Sequence, residues 1–382
     1  MNKTTKILIW LIAIIVVIAG IWWRVGKKST QLPTGKKEVI KIGVITLLTG
    51  PGAEYGIATQ RGLDLAVKEI NDAGGIKGKK IKLIYEDSKC DPQTGIRALQ
   101  KLIFKDKVKV VIGTVCSSVT LALAPIAQEQ DLLIISSGSS NPRISSYPNV
   151  FRTWPSDAIQ GKFLGKFVKE KLKLNKVGII YMNNDYGVGL KDAFKDEFEK
   201  RGGTVVAEEA VPAIATDVKT QLTKLKELNP EGVFLATHAK EMGQILKQAK
   251  ELNFSTQFFG GEGTKDPSLI EIGGSGAEGL IGTIPSANET SKRNHFLSAF
   301  KKAYDKEPGI TADAAYDIPF LLEIALKECD ISEINCIKTA LLKIKNYSGA
   351  SGIITFDENG DIISKKYDLI IVKNGKFVPY ED

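Results

Sequence analysis

Histidine and methionine are scarce in these 382 residues, with two and three copies, and there are only four cysteines. The histidines, His238 and His295, lie far in sequence from one another and from the cysteines, so the ligand spacings of a metal site are missing. No nucleophile-elbow motif occurs, and Asn183-Asn184-Asp185-Tyr186-Gly187 has no histidine nearby to complete a Ser/His/Asp constellation. The glycine cluster Gly74-Gly75-Ile76-Lys77-Gly78 carries neither a phosphate-loop nor a dinucleotide pattern. No catalytic residue, metal or cofactor can therefore be named, and an enzyme is the poorer reading. Lysine and arginine outnumber acidic residues by 52 to 44, but the lysines are spread along helical faces and form no aromatic-interleaved basic cluster. That distribution suits a solvated surface and argues against nucleic acid as a partner.

What is present is an apolar content of 43 %, sufficient for a full core, in a chain long enough for two ordinary domains. Lys3 and Lys6 precede an apolar run over residues 7–23, followed by Arg24, Lys27 and Lys28. The run is close to the length that crosses a bilayer, and Trp22 and Trp23 at its end suit an interfacial belt. A retained membrane anchor is the expectation, with a cleaved signal segment second and residues 26–38 as a polar tether.

From residue 39 the pattern becomes an alternation of strand and helix runs, which predicts doubly wound parallel sheets. The first series covers residues 39–136. A second follows Phe151-Arg152-Thr153-Trp154-Pro155 and faintly echoes the first. Two similar lobes facing one another would enclose a cleft. In the tail, helices are expected near 291–305, 311–327 and 331–344. Residues 352–356 and 366–372 read as a hairpin, and Asn374-Gly375 as a turn into a last strand.

Within the first series, Val110-Val111-Ile112-Gly113 is a buried strand whose end leads through Thr114-Val115-Cys116-Ser117-Ser118 into a helix. Unpaired N–H groups at such a helix start favour an anion, and a ligand carboxylate is the hypothesis for this stretch. Cys90 and Cys116 each follow a strand-like run. One crossover between adjacent parallel strands would bring them to the same sheet edge, within disulfide reach if their vectors agree, with free thiols as the alternative. Cys329 and Cys336 flank a short polar turn, where pairing and free thiols both stay open.

Several stretches together resemble the periplasmic leucine/isoleucine/valine-binding proteins, the type I solute-binding proteins of ATP-driven (ABC) transporters. They are Thr49-Gly50-Pro51-Gly52-Ala53-Glu54-Tyr55-Gly56, Ile70-Asn71-Asp72-Ala73-Gly74-Gly75-Ile76-Lys77-Gly78, Cys90-Asp91-Pro92 and Ile112-Gly113-Thr114-Val115-Cys116-Ser117-Ser118. Phe151-Arg152-Thr153, Asp185-Tyr186-Gly187, Glu241-Met242-Gly243-Gln244 and Gly260-Gly261-Glu262-Gly263 continue the likeness, which spans roughly residues 41–357. It implies an α/β fold of two doubly wound parallel-sheet lobes joined by a multi-segment hinge, closing over ligand. The expected division is 1–37 for anchor and tether, 38–155 plus 286–350 for the first lobe, and 156–285 plus 351–382 for the second.

The resemblance also assigns residues. Ser117 and Ser140 match positions that hold a ligand α-carboxylate, Glu262 the carboxylate that pairs with its α-ammonium, and Gly138 the residue whose carbonyl accepts from that ammonium. Tyr55 and Tyr186 match pocket aromatics that close from opposite lobes, and Cys90 with Cys116 the family's disulfide. Three positions depart: His238 stands where close relatives have a pocket tyrosine, Thr311 where an aromatic often lies, and Ser140 where a threonine is usual. His238 and Thr311 change size and polarity, which puts a purely aliphatic ligand in question.

The implied function is extracytoplasmic capture of a branched-chain or similar amino acid and its delivery to an ABC permease by a monomer held at the membrane. A ligand-sensing ectodomain for an amide, urea-like compound or amino acid is the alternative.

Overall fold

The computed structural model describes residues 2–25, 38–214 and 216–381. It divides into two compact units, 1–38 and 39–382. In the first, α1 (Lys3–Val25) is one helix, and the apolar side chains described on it, Ile9, Trp10, Ile12 and Ile14 to Ile18, are exposed. Among the described residues no helix is long and apolar enough to cross a membrane. The expected transmembrane anchor therefore finds no support, and most of the expected tether lies outside the described residues.

The second unit opens with β1 (Val39–Thr46), α2 (Ala53–Asp72), β2 (Lys80–Asp87), α3 (Pro92–Lys101), β3 (Val110–Ile112), α4 (Ser117–Glu129), β4 (Leu133–Ser136) and β5 (Val150–Arg152). These strands form a parallel sheet in the order β2-β1-β3-β4-β5. Val110, Val111 and Ile112 are all fully buried, as a central strand covered on both faces requires.

The chain then crosses at 153–156 into α5 (Asp157–Glu170), β6 (Lys176–Met182), α6 (Asp185–Lys200), β7 (Thr204–Val211), α7 (Lys219–Glu227), β8 (Gly232–Ala236), α8 (Ala239–Glu251), β9 (Gln257–Gly260), α9 (Pro267–Gly273) and β10 (Ile281–Pro285). It crosses back at 286–290 into α10 (Ser291–Tyr304), α11 (Ala312–Leu326), α12 (Ile334–Leu342) and the short pair β11 (Tyr347–Gly349) and β12 (Gly352–Ile354). A third crossing leads to β13 (Tyr367–Lys373) and β14 (Lys376–Pro379), antiparallel strands that extend the second sheet beyond β10.

The parallel part of that second sheet runs β7-β6-β8-β9-β10, the same order as the first. Each sheet is covered on both faces by helices, so the expected two-lobed, doubly wound α/β architecture is what the chain adopts.

Two expectations are corrected. Residues 352–356 do not pair with 366–372: Gly352–Ile354 pairs with Tyr347–Gly349, while Tyr367–Lys373 joins Ile281–Pro285. The boundary between lobes in the tail also falls later than 350, because Ile354, Phe356 and Ile362 pack into the first lobe's core. The third crossing therefore lies near 363–366, where Ser286 N–H donates to the Lys366 carbonyl and ties the second and third crossings together (2.8 Å).

Cys90, after β2, bonds Cys116 at the start of α4, with Cα atoms 5.6 Å apart, and Cys329 bonds Cys336 across the turn before α12. The first bridge closes a 26-residue separation that includes α3 and β3. Mapping of unreduced peptides should recover both pairs. Replacing Cys90 and Cys116 with serine should lower unfolding free energy by about 3 kcal/mol in urea titration; an unchanged midpoint would show that the bridge adds nothing to stability.

Candidate ligand-binding cleft

The shared strand order places a topological switch point between β1 and β3 in one sheet and between β6 and β8 in the other. Connections leave such neighbours in opposite directions, and a crevice opens at their carboxyl ends. Facing crevices enclose a cavity of about 510 Å³. From the first lobe it is lined by Leu47, Tyr55, Val115, Cys116, Ser117, Gly138, Ile310 and Thr311, and from the second by Met182, Tyr186, His238 and Glu262. Trp154 of the first crossing segment completes the wall.

Two helix starts carry the facing tyrosines in the same way. Glu54-Tyr55-Gly56 opens α2 after β1, and Asp185-Tyr186-Gly187 opens α6 after β6. A Cβ on Gly56 would lie 1.7 Å from the Leu47 carbonyl oxygen, and one on Gly187 2.1 Å from that of Met182. Glycine alone allows each helix to seat so closely on its strand end, and the preceding tyrosine is thereby held against the cleft. His238, just before α8, stacks on Tyr186 with ring centroids 4.6 Å apart and planes at 12°, and meets Tyr55 at 5.4 Å. The three rings form an aromatic seam across the lobes. Burial lowers the imidazole pKa to about 4, with the Glu54 charge opposing that shift. His238 is therefore a neutral, flat wall residue.

At the other side of the cavity, α4 begins at Ser117 with no side-chain cap, which leaves first-turn N–H groups available to a ligand. The Ser117 hydroxyl oxygen accepts from the N–H groups of Ser140 and Asn141, both at 3.2 Å, so its own proton is free to be donated. Gly138 borders the cavity, but Ser140 does not. Ser140 is buried behind Ser117, with its N–H committed to that serine and its hydroxyl facing Asp157. It supports Ser117 in this conformation rather than lining the wall.

Glu262 follows β9 in a short turn. It is 8 % exposed, and its Oε2 is buried without a hydrogen-bond partner. Burial raises its carboxyl pKa, opposed by its own N–H and by the nearby Gln160 and Tyr186 side chains. An acidic group thus faces a helix start and a free hydroxyl across a mostly apolar chamber. Such an arrangement can hold a small molecule with one positive and one negative end.

Thr311 is expected to add polarity, and the structure turns that polarity away. Its hydroxyl donates to the Tyr55 carbonyl at 3.0 Å and meets Thr59 Oγ1 at 2.8 Å, while its methyl lies toward Gly138. The pocket at this point is therefore apolar and wider than an aromatic would leave it.

Trp154, Ile310 and Met182 escape the sequence reading as wall residues. Trp154 had a usable signal, a large aromatic in the segment between the two βα series; Ile310 precedes a helix with no pattern of its own. The cleft is bridged by Lys240–Glu54 (3.0 Å), Arg143–Asp185 (3.4 Å) and the Asn141 amide, which donates to the Asp185 carbonyl.

Two lobes of one topology around an enclosed, charge-bearing cleft define a solute-binding receptor. The periplasmic binding protein family model matches residues 39–376, and the chain belongs to that family. It is 30 % identical over 337 residues to a leucine-, isoleucine-, valine-, threonine- and alanine-binding protein of Pseudomonas aeruginosa, covering 87 % of this chain and 89 % of that one. The fold matches a leucine-binding protein of Thermotoga maritima with a TM-score of 0.83 and 30 % identity, over 90 % of this chain and 98 % of the other. It also matches, at 0.80 and 29 %, the substrate-binding protein of a branched-chain amino acid transporter from Streptococcus pneumoniae in complex with isoleucine, over 89 % and 98 %. These relatives are binding proteins, which is consistent with a non-enzymatic role.

The His238 ring should stay uncharged well below its ordinary midpoint near 6.5. A proton NMR titration should place its ring midpoint near pH 4 in the folded protein. Because the folded value is the lower one, His238 should favour unfolding increasingly as pH falls from 6.5 toward 4. A midpoint near 6.5 would mean that the seam leaves the ring open to water.

Proposed function

We propose that this protein is an extracytoplasmic receptor that captures a branched-chain or similar aliphatic amino acid between its lobes and delivers it to an ABC permease. The observation that carries the proposal is Glu262, a buried carboxyl group with an unpartnered oxygen, set across the cavity from Ser117 at the uncapped start of α4. The ammonium of an amino acid would face Glu262 and the Gly138 carbonyl. Its carboxylate would meet the Ser117 hydroxyl and the first N–H groups of α4. Leu47, Val115, Trp154, Ile310 and the Tyr55–His238–Tyr186 seam would enclose an aliphatic side chain. Family membership and relatives that bind leucine, isoleucine and valine support both the ligand class and the extracytoplasmic location. Delivery to a permease follows from the role of such receptors.

A thermal-shift panel of amino acids should show stabilisation by leucine, isoleucine or valine. A ligand at 100 times its Kd adds about 2.7 kcal/mol. If an amide or a sugar raises the midpoint and no amino acid does, the proposal fails. Glu262→Gln should abolish the amino-acid shift and leave the ligand-free midpoint no lower than wild type, because the change removes a buried carboxyl that lacks a cation. Retained affinity would remove Glu262 from the site.

A further inference from the structure

The entry into α11 carries a backbone conformation that its residue resists. Thr311 has φ +77° and ψ −15°, in the left-handed region. Among the described residues it is the one β-branched side chain with positive φ, which glycine adopts freely and a branched Cβ does not. A Cβ on Gly62 of α2 would lie 2.1 Å from the Ala312 carbonyl oxygen, so α11 begins with its backbone against α2 and the chain turns sharply into it at Thr311. Ile310 and Thr311 also form a thin partition. With Trp154 and Glu262 they line both the cleft and a second cavity of about 410 Å³, walled by residues of all three crossing segments.

The Thr311 hydroxyl does not cap α11; it donates to the Tyr55 carbonyl at 3.0 Å. A hydroxyl has one proton, so the 2.8 Å contact between Thr311 Oγ1 and Thr59 Oγ1 is donated by Thr59. By the same count, the 3.1 Å contact between Thr59 Oγ1 and Ser137 Oγ is donated by Ser137. A one-way chain results, from Ser137 through Thr59 and Thr311 to the Tyr55 carbonyl, and all three hydroxyl residues are buried. Both of its ends adjoin the cleft. Ser137 immediately precedes Gly138, and Tyr55 carries the first-lobe ring of the aromatic seam. On its other side, the Thr311 methyl lies 3.1 Å from the position a Cβ on Gly138 would take. One residue thus bears on Gly138 and on Tyr55 together.

Resting on the amino-acid reading above, we infer that Thr311 is a positioning residue, which holds the Gly138 carbonyl and the Tyr55 ring where an amino-acid ligand meets them. Backbone strain of this kind persists only where the surrounding contacts over-determine it, and hydroxyls aligned in a dry interior reinforce one another. The chain of hydroxyls supplies that constraint, and the groups it constrains are those that face the ligand. Thr311 acts through its neighbours, because its proton is given to Tyr55 and its oxygen accepts from Thr59. Groups held in place before the ligand arrives lose less freedom when it binds, which raises affinity. Stability and affinity therefore respond to this residue differently. Glycine would relieve the backbone and at the same time release both ligand-facing groups.

The test is calorimetry of L-leucine binding alongside thermal unfolding, on the full chain and on its Thr311→Ser, Thr311→Val and Thr311→Gly variants. Serine keeps the donated proton and should bind leucine as wild type does. Valine keeps the shape without the proton and should bind about tenfold more weakly. In Thr311→Gly, relief of strain offsets the lost contacts, so the ligand-free midpoint should stay close to wild type while leucine affinity falls about tenfold. A role in folding alone would lower the midpoint and leave affinity unchanged, and that result in Thr311→Gly would overturn the inference. Wild-type affinity in a folded Thr311→Val would overturn it too, as would a serine variant as weak as the valine one. In each of these cases leucine binding by wild type leaves the amino-acid reading intact. Absence of binding of any amino acid to wild type would overturn both.

Discussion

Glu262 sits buried in the cleft wall with one oxygen unpartnered, and among the described residues no ion pair to it is present. Isolated in that way, a carboxyl group is a standing cost to the ligand-free fold, and a cationic ligand relieves it. Much of the second lobe's contribution to the cleft can be understood from this constraint. Strand β9 ends at Gly260 and the next turn carries Glu262 to the cavity wall, which the aromatic seam from Tyr55 through His238 to Tyr186 also lines. On the cavity wall Lys240 pairs with Glu54, and the fully buried Arg152 pairs with Asp361.

The opposite end of the cavity is built from backbone. An anion at an uncapped helix start needs no basic side chain, because the N–H groups and the helix dipole already favour negative charge. Ser117 belongs to the first lobe's framework as well as to the cavity lining: its oxygen accepts from the N–H groups of Ser140 and Asn141 and orders that turn. The Cys90–Cys116 bridge fixes the residue immediately before it to the end of β2, so the helix start is anchored covalently as well as by the sheet.

Two lobes with one strand order explain how so few polar groups suffice. Each lobe offers its switch-point crevice, and the three crossings set those crevices face to face. Repetition extends to Tyr55-Gly56 and Tyr186-Gly187, where the same close seating of helix on strand brings an aromatic ring from each side. The rest of the wall differs between lobes, with Ile310 and Thr311 on one side, Met182 and His238 on the other, and Trp154 of the first crossing between them.

The alternation of apolar strands with amphipathic helices determined the doubly wound fold, since a strand such as Val110–Ile112 is apolar throughout only if both its faces are covered. The helix start at Ser117 and the acid at Glu262 were legible as well, because a turn after a buried strand and a carboxyl between glycines are local patterns that a family likeness can place. Only the tertiary structure decided what local pattern cannot carry. Gly352–Ile354 could pair with either of two segments, and burial of Ile354 and Phe356 in the first lobe chose between them. The hydroxyl of Thr311 turned from the cleft because Tyr55 and Thr59, over 250 residues away in sequence, offered it partners. Charge balance in a buried site is a sum over neighbours in space, and the sequence orders those neighbours differently.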